Sequence, residues 1–377
     1  GLPGKARNLN CLCRRPVCNL FRCTLHRGFE MRMPFSLRKQ TVIALFAMMP
    51  AVAAMSASVQ TSDTNQPPQV DVRKIWDAAA HNAFTDLIRW RDCWWCTFRE
   101  SEGHVGGDGR IRVIKSTDGQ NWESAALVAE KDIDLRDPKF SITPDDRLMI
   151  VCGGSAYLGT RQIKGRQPRV LFSADGTTWT APQRVLGEGE WLWRVTWHNG
   201  MAYGVAYKAV HGDNAREWAL NLYGSSDGLK WELVSPMDVS GKPNETTLRF
   251  PGNGDLIAMI RREGGNRMGW IGVTRPPYKQ WEWHESNYQF GGPNFIQLPD
   301  GSFVAGTRDY TLKSKCSTLI AAMTPDTLRP LVTLPSGGDT SYPGLVWHDG
   351  MLWVSYYSSH EGKTSIYLAR IKLHRYH

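Results

Sequence analysis

Short segments in which hydrophobic and polar residues alternate follow one another along most of the chain after residue 83. Pairs of these segments are joined by a turn, and six such pairs can be aligned by their central turns. Alternation with a period of two is typical of β-strands that bury one face. We therefore predict paired strands in FTDLIRW-RD-CWWCTFR, LRDPKFSITPDDRLMIV, LWRVTWHNGMAYGVAY, NETTLRFPGNGDLIAMIRR, PNFIQLPDGSFVAGTR and SYPGLVWHDGMLWVSYY.

The strand pairs recur at a nearly constant period. Each pair places a polar residue near the start of its first strand, and successive members of this set are 51, 57, 51, 49 and 48 positions apart. A β-sandwich also contains many short strands but lacks such a period. We therefore predict an all-β fold, a six-bladed β-propeller of four-stranded antiparallel blades over residues 71–377. The six aligned residues are Asp86, Asp137, Arg194, Glu245, Asn294 and Tyr342.

A second repeat has the pattern Ser-x-Asp-Gly-x-x-Trp. It occurs at residues 116–122, 173–179 and 225–231. Asp and Gly favour a tight turn, because Asp hydrogen-bonds nearby backbone and Gly accepts a positive φ. In an up-and-down blade these segments lie between the third and fourth strands, on the face opposite the starts of the inner strands. We therefore expect their aspartates to be structural.

The first 70 residues differ in composition from the rest of the chain. Arg38 and Lys39 precede a short apolar run at 41–50, and small residues follow it. This order predicts a secretory signal peptide over residues 33–58, too short in its apolar part to span a bilayer. Residues 1–32 are interpreted as an upstream extension and residues 59–70 as a linker. We therefore expect a secreted or periplasmic protein without stable membrane insertion.

The net charge of +9 comes from this N-terminal part. Residues after 58 contain 36 basic and 35 acidic side chains, so nucleic-acid binding is not expected. The pair Cys93 and Cys96 has no second pair to complete a zinc site, and its members face opposite sides of a strand. His, Asp and Glu residues show no metal-ligand spacing either. We expect neither an organic cofactor nor a metal.

One face of the predicted ring gathers charged residues. The second strands of the pairs end on the same face where the first strands begin, and they end in Arg99, in Arg261 or Arg262, and in Arg308. Together with Asp86, Asp137 and Glu245, these arginines would form one pocket. Such a pocket suits an anionic ligand and has acid–base groups available.

The repeated Ser-x-Asp-Gly-x-x-Trp segments resemble the Asp boxes of sialidases (neuraminidases), over about residues 84–371. The site pattern is also similar: Glu245 precedes Arg261 by sixteen residues, Arg308 ends the next strand pair, and Tyr342 opens the last one. The resemblance implies a retaining glycosidase with Tyr342 as nucleophile and Glu245 as its base. Arg261 and Arg308 would then bind the carboxylate of a sugar acid.

The chain departs from the sialidase pattern in two places. Ala83-Phe84-Thr85-Asp86 stands where the family has an Arg-Ile-Pro motif, and Arg99 is a candidate for the missing charge. The general acid stays open among Asp86, Asp108 and Asp137. Arg194 and Asn294 are further candidates for substrate binding.

The expected partner is a glycan, and the expected state is a monomer. Two alternatives remain for the function. One is a lyase or hydrolase for other acidic or sulfated polysaccharides, and the other is a glycan-binding propeller without catalysis.

Overall fold

The computed structural model describes residues 67–107, 109–159, 162–209, 217–312 and 315–373, and these residues form β-strands and no α-helix. In chain order the strands are β1 (Gln69–Trp76); β2 (His81–Trp90), β3 (Cys93–Ser101), β4 (Arg110–Ser116) and β5 (Glu123–Val128) of blade 1; β6 (Asp134–Ile142), β7 (Leu148–Leu158), β8 (Gln162–Ser173) and β9 (Gln183–Arg184) of blade 2; and β10 (Trp191–His198), β11 (Met201–Ala209), β12 (Trp218–Ser225) and β13 (Glu232–Pro236) of blade 3. They continue as β14 (Pro243–Arg249), β15 (Leu256–Arg262), β16 (Met268–Thr274) and β17 (Trp281–Gln289) of blade 4; β18 (Asn294–Gln297), β19 (Phe303–Asp309), β20 (Ser317–Met323) and β21 (Leu328–Leu334) of blade 5; and β22 (Thr340–His348), β23 (Met351–Ser358) and β24 (Ser365–Lys372) of blade 6.

The strands form six four-stranded antiparallel sheets arranged as a ring, which confirms the predicted propeller. Contacts between β2, β6, β10, β14, β18 and β22 run around the ring and return to β2. The sixth sheet has the order β22-β23-β24-β1, so the first strand of the chain is the outer strand of the last blade. Pairing of the two ends of the propeller closes the ring.

The predicted leader lies outside the described residues. Strand β1, which the sequence pattern did not identify, begins at Gln69, within the last two residues of the predicted linker. Within the described part of the chain, no helix is long or apolar enough to cross a lipid bilayer.

The hydrophobic core lies between neighbouring blades. One cluster joins Trp95 and Ile111 of blade 1 to Phe140 and Leu171 of blade 2. Because a blade is covered on both faces, its middle strands are buried on both faces, and residues 148–155 of β7 are buried without interruption. This explains why the middle strands read as apolar runs such as LMIVC rather than as clean alternation. The four described cysteines are free thiols, and Cys96 and Cys152 are buried within such strands.

The three Ser-x-Asp-Gly turns share one hydrogen-bond pattern between the third and fourth strands of blades 1 to 3. Asp175 Oδ1 accepts the backbone N–H groups of Thr177 and Thr178 at 2.8 and 2.7 Å, and these bonds hold the pKa of Asp175 below its ordinary value. Gly176 has a φ of 76° and packs against Trp95 of the preceding blade. The turn aspartates therefore stabilise the blades and the contacts between them, as expected from the sequence.

The packing of Gly176 can be tested by comparing Gly176→Ala with Gly200→Ala. Both glycines have left-handed φ values, +76° and +79°, so each change costs about 1 kcal/mol of backbone strain. A Cβ at Gly176 would lie 2.2 Å from the Trp95 ring, whereas nothing lies within 4 Å of one at Gly200. We expect the free energy of unfolding in urea to fall by about 1–3 kcal/mol more for Gly176→Ala. Equal losses in the two variants would show that the contact with Trp95 adds nothing.

Candidate active site

A β-bulge interrupts the start of the innermost strand in five of the six blades. In blade 1, for example, Ala83 pairs with Arg99 and Asp86 with Thr97, so two residues of β2 face one residue of β3. The same shift occurs in β6, β10, β14 and β22. In blade 5, the residues just before β18 correspond to the bulges of the other blades. The bulges therefore decide which side chains enter the mouth of the channel.

The bulges correct the alignment of the six polar residues. Asp137 and Tyr342 are the first residues of their bulges, whereas Arg194 and Glu245 are the second residues of theirs. Asp86 and Asn294 come after the bulge, further along the strand. The turn-based alignment missed this difference because the turns differ in length, from two residues between β2 and β3 to five between β6 and β7. The six side chains form two layers: an upper one with Asp137, Glu245 and Tyr342, and a lower one with Asp86, Asn294 and Arg194, whose side chain reaches Asp86.

Tyr342 and Glu245 form the centre of the upper layer. The Tyr342 hydroxyl donates a hydrogen bond of 2.6 Å to Glu245 Oε1, and the backbone N–H of Gly292 donates one of 2.7 Å to Oε2. Arg261 Nη1 lies 2.8 Å from Glu245 Oε1 and 3.2 Å from the Tyr342 oxygen. Arg261 of β15 lies opposite the bulge in β14, and this brings its side chain to Glu245. The next residue, Arg262, points away from the site towards Glu285.

The surroundings separate the ionisation of the phenol from that of the carboxyl group. Burial, followed by the negative charge of Glu245, raises the pKa of Tyr342 well above its ordinary value. Burial opposes ionisation of Glu245, but Arg261, the Tyr342 hydroxyl and the Gly292 N–H outweigh it and lower the pKa of Glu245. The neutral phenol is therefore held against an ionised acceptor, the arrangement that a base-assisted nucleophile requires.

Arg308 is a half-buried cation beside Tyr342. Its guanidinium lies 5.4 Å from the centre of the Tyr342 ring and donates to the Thr340 carbonyl and the Tyr357 hydroxyl. Among the described residues it has no carboxylate partner. An ion without a counter-ion is costly to bury, so this position suits an anionic ligand group.

Arg136 is a third cation at the mouth of the channel, and the sequence reasoning missed it. Its guanidinium lies 4.9 Å from the centre of the Phe84 ring, which in turn packs on Tyr342 at 5.2 Å. Phe84 thus occupies the bulge position where the resemblance expects an arginine. The signal in the sequence was the Arg-Asp-Pro triplet at 136–138, whose first residue stands immediately before the bulge.

Asp137 is the second carboxyl group of the upper layer. Burial, reinforced by the charge of Glu245, raises its pKa, and the nearby Arg136 and Lys139 only partly oppose this shift. Its Oδ1 atom is buried and has no hydrogen-bond partner within the described ranges. Asp137, like Phe84 and Tyr342, has a left-handed backbone, with φ values of 53°, 64° and 55°. Strained residues of this kind are frequent at functional sites, where the fold holds them in place.

Arg99 is not a substrate-binding residue, contrary to the expectation. Its side chain is fully buried and its Nε atom pairs with Asp134 at 2.7 Å. It also donates to the carbonyl groups of Gly103 and Gly106 in the loop after β3. Because the side chain is fully buried and four of its five N–H groups are used within the protein, we infer that Arg99 positions the loop rather than a ligand.

The lower layer of the channel is a network of buried polar side chains, which disagrees with three further expectations. Asp86 accepts a bond of 2.8 Å from Arg194 Nη1 and one of 2.8 Å from the backbone N–H of Phe140. Asn294 accepts from Arg249 and donates to the Pro343 carbonyl. Asp86, Arg194 and Asn294 are at most 4 % exposed. They hold the inner strands together rather than contacting a ligand.

Lys139 connects the two layers and was not identified from the sequence. Its Nζ atom donates to the carbonyl groups of Thr85 and Pro138 at 3.2 Å and lies 4.9 Å from the centre of the Trp193 ring. Burial lowers its pKa to about 8, against the attraction of Asp86. The ammonium group thus holds the bulges of blades 1 and 2 from beneath. Asp108, the remaining candidate acid, lies outside the described residues.

Comparisons with known proteins agree with the fold. No protein-family model matches the chain, and no curated protein matches it in sequence. Among solved structures, a Dyadobacter fermentans protein of unknown function has a TM-score of 0.70 at 21% identity, covering 80% of this chain and 99% of that one. A Fusarium graminearum α-L-arabinofuranosidase has a TM-score of 0.59 at 16% identity, covering 79% and 96%. Trypanosoma rangeli sialidase has a TM-score of 0.64 at 12% identity, covering 81% and 60%. The chain is therefore similar in fold to six-bladed propellers that include a sialidase and an arabinofuranosidase.

The burial of Lys139 predicts a pH-dependent stability. Folding lowers the pKa of Lys139 from 10.5 to about 8. Between these pH values the unfolded chain binds more protons than the folded one, so the free energy of unfolding rises with pH. Relative to Lys139→Met, we expect the free energy of unfolding of the wild type to rise by about 2 kcal/mol between pH of about 7.5 and 10. Denaturant unfolding at several pH values measures this difference. The exposed Lys363→Met variant is the control and should follow the wild type; a flat difference for Lys139→Met contradicts the prediction.

Proposed function

We propose that this protein is a glycoside hydrolase that removes a terminal acidic sugar, sialic acid or a related residue, from a glycan. The proposal rests on the bond of 2.6 Å between the Tyr342 hydroxyl and the ionised Glu245, next to the unpaired guanidinium of Arg308. The fold similarity to a sialidase supports it. The expected secretion of the chain belongs to the same proposal, because glycans with terminal acidic sugars are found outside cells.

The first half of the proposed reaction forms a covalent intermediate. The Tyr342 oxygen bonds to the anomeric carbon as the glycosidic carbon–oxygen bond breaks, and the phenolic proton passes to Glu245. Sialic acid carries its carboxylate on the anomeric carbon, which would repel a carboxylate nucleophile, whereas a neutral phenol avoids this repulsion. Water then attacks the intermediate, and Glu245 returns the proton to Tyr342.

Asp137 is the proposed general acid. Asp86 already accepts hydrogen bonds from Arg194 and the Phe140 N–H, and Asp108 lies outside the described residues. Asp137, in contrast, is next to Tyr342 and Glu245 and has a raised pKa. Two carboxyl groups whose surroundings shift their pKa values in opposite directions are typical of an acid and a base. Asp137 would protonate the leaving oxygen and later take a proton from the attacking water.

The cations would recognise the carboxylate of the sugar. Arg308 and Arg261 flank Tyr342, and Arg136 lies behind Phe84 on the other side of the ring. Each charge-assisted hydrogen bond contributes about 1.5–3 kcal/mol. In this proposal Arg136 supplies the positive charge that was expected from Arg99.

A second candidate is the hydrolysis of a neutral furanoside with Glu245 itself as nucleophile. Phe84 favours it, because an apolar ring stands where the resemblance expects an arginine, and so does the similarity to the arabinofuranosidase over 96% of that chain. In this reaction the Tyr342 hydroxyl would only orient Glu245. A non-catalytic glycan-binding propeller stays the third alternative.

A panel of aryl glycosides with the variants Tyr342→Phe and Glu245→Gln separates these candidates. If the leading proposal holds, the wild type releases the aryl group from a sialoside or a uronide, and Tyr342→Phe lowers kcat/KM on the order of 10³-fold or more. Tyr356→Phe, which alters a buried tyrosine outside the site, is the control and should keep full activity. Release only from an arabinofuranoside, with substantial activity left in Tyr342→Phe, supports the second candidate. Binding of glycans without any release would sink both enzymatic proposals.

The role of Asp137 predicts an effect that depends on the leaving group. For Asp137→Asn we expect kcat to fall about 10²–10⁴-fold with an alkyl leaving group and much less with a nitrophenyl group, which departs without protonation. In the wild type, activity should fall on the alkaline side as Asp137 loses its proton, and this limb should disappear in the variant. The exposed Asp349→Asn is the control. Equal losses with both leaving groups would assign the acid to another residue.

A further inference from the structure

We propose that His81, His104 and Asp339 form a binding site for a divalent transition metal such as Zn²⁺ at the junction of blades 1 and 6. Asp339 Oδ2 lies 2.9 Å from His81 Nε2, and Asp339 Oδ1 lies 3.2 Å from His104 Nδ1. The three ligand atoms all lie within 4.8 Å of one another. The sequence showed no metal-ligand spacing because the three residues come from the start of β2, the loop after β3 and the segment before β22.

The distances suit coordination by one ion. In a tetrahedral site with bonds of about 2.0–2.1 Å, two Zn²⁺ ligand atoms are separated by roughly 3.3 Å. Each nitrogen–oxygen distance is within a few tenths of an ångström of this value, and the two distances join different oxygens of the Asp339 carboxylate. Two imidazoles and one carboxylate are also a ligand set that Zn²⁺ and neighbouring metals prefer. Small movements of the three side chains would therefore bring one ligand atom of each to a single ion.

The loop that carries His104 is held in position by two arginines. The buried Arg99 donates to the carbonyl groups of Gly103 and Gly106 on either side of His104. Arg136 donates to the carbonyl group of His104 itself at 3.1 Å. Thr364 donates to Asp339 Oδ2 at 3.3 Å. These contacts orient the ligands from outside, as in built metal sites.

The site lies at the rim of the candidate active site. The rings of His104 and Phe84 are 5.1 Å apart, and Phe84 packs on Tyr342. His81 is buried, whereas the side chains of His104 and Asp339 are 45% and 31% exposed. Three protein ligands leave a coordination position open on the exposed side, and an oxygen of a bound glycan could occupy it. Only this last role rests on the proposed function; the metal site itself does not.

Without a metal, the same distances correspond to two N–H···O hydrogen bonds, and the experiment has to separate these states. The full chain is stripped with a chelator and titrated with Zn²⁺ by calorimetry, and with Co²⁺ by visible absorption. We expect a Co²⁺ band of tetrahedral intensity and a Zn²⁺ affinity that falls at least about tenfold in His104→Ala and in Asp339→Asn.

His284→Ala is the matched control. His284 faces Glu282 at 3.5 Å without a third ligand within the described residues, so its loss should change neither the affinity nor the absorption. Cysteines and histidines elsewhere in the chain would bind equally in all variants, and thermal unfolding in chelator checks that each variant folds. Binding that is absent, or that is the same in wild type, His104→Ala and Asp339→Asn, overturns the proposal. Metal binding lost in these two variants supports it even if no glycoside is cleaved.

Discussion

The β-bulge at the start of the inner strands is the constraint on which the rest of the site depends. A regular strand would alternate its side chains between two neighbouring blades, and neither direction leads into the channel. The bulge re-aims side chains, so that Tyr342 and Glu245, from blades 6 and 4, meet at 2.6 Å. It also accounts for the left-handed backbone of Phe84, Asp137 and Tyr342, a strain that the closed ring of blades can hold.

Charge is distributed differently in the two layers that the bulges create. Below them, Asp86 bonds to Arg194 and Asn294 to Arg249, so each cation is paired with a polar group of another inner strand. Above them, Arg308 has no carboxylate partner in the described part of the chain, and Asp137 has an unsatisfied oxygen. We therefore place the proposed ligand in the upper layer, where the side chains of Arg308 and Asp137 are partly exposed and a ligand could supply the missing partners.

Much of the fold and part of the site could be predicted from the chain alone. The constant period and the Ser-x-Asp-Gly turns led to six blades, and Tyr342, Glu245, Arg261 and Arg308 do meet at the channel mouth. Arg99, Arg194 and Asn294 were expected to bind substrate and Asp86 was a candidate acid, but all four side chains are buried and bonded within the protein. A polar residue at a strand end looks the same in the sequence whether it has a buried partner or not. Lys139 was missed because its position after a bulge carries no sequence signal, and Arg136 was missed although the Arg-Asp-Pro triplet at 136–138 offered one.

Sequence by itself determined what is local: the alternation that makes strands, the turns that join them and the repeat that requires a closed ring. Tertiary structure alone decided what depends on distant residues, such as the partner of each arginine, the shifts in pKa, and the meeting of His81 with Asp339. The physical reason is that strand periodicity results from the backbone of a few neighbouring residues. Pairing and desolvation of a charge, by contrast, depend on which blades close around it.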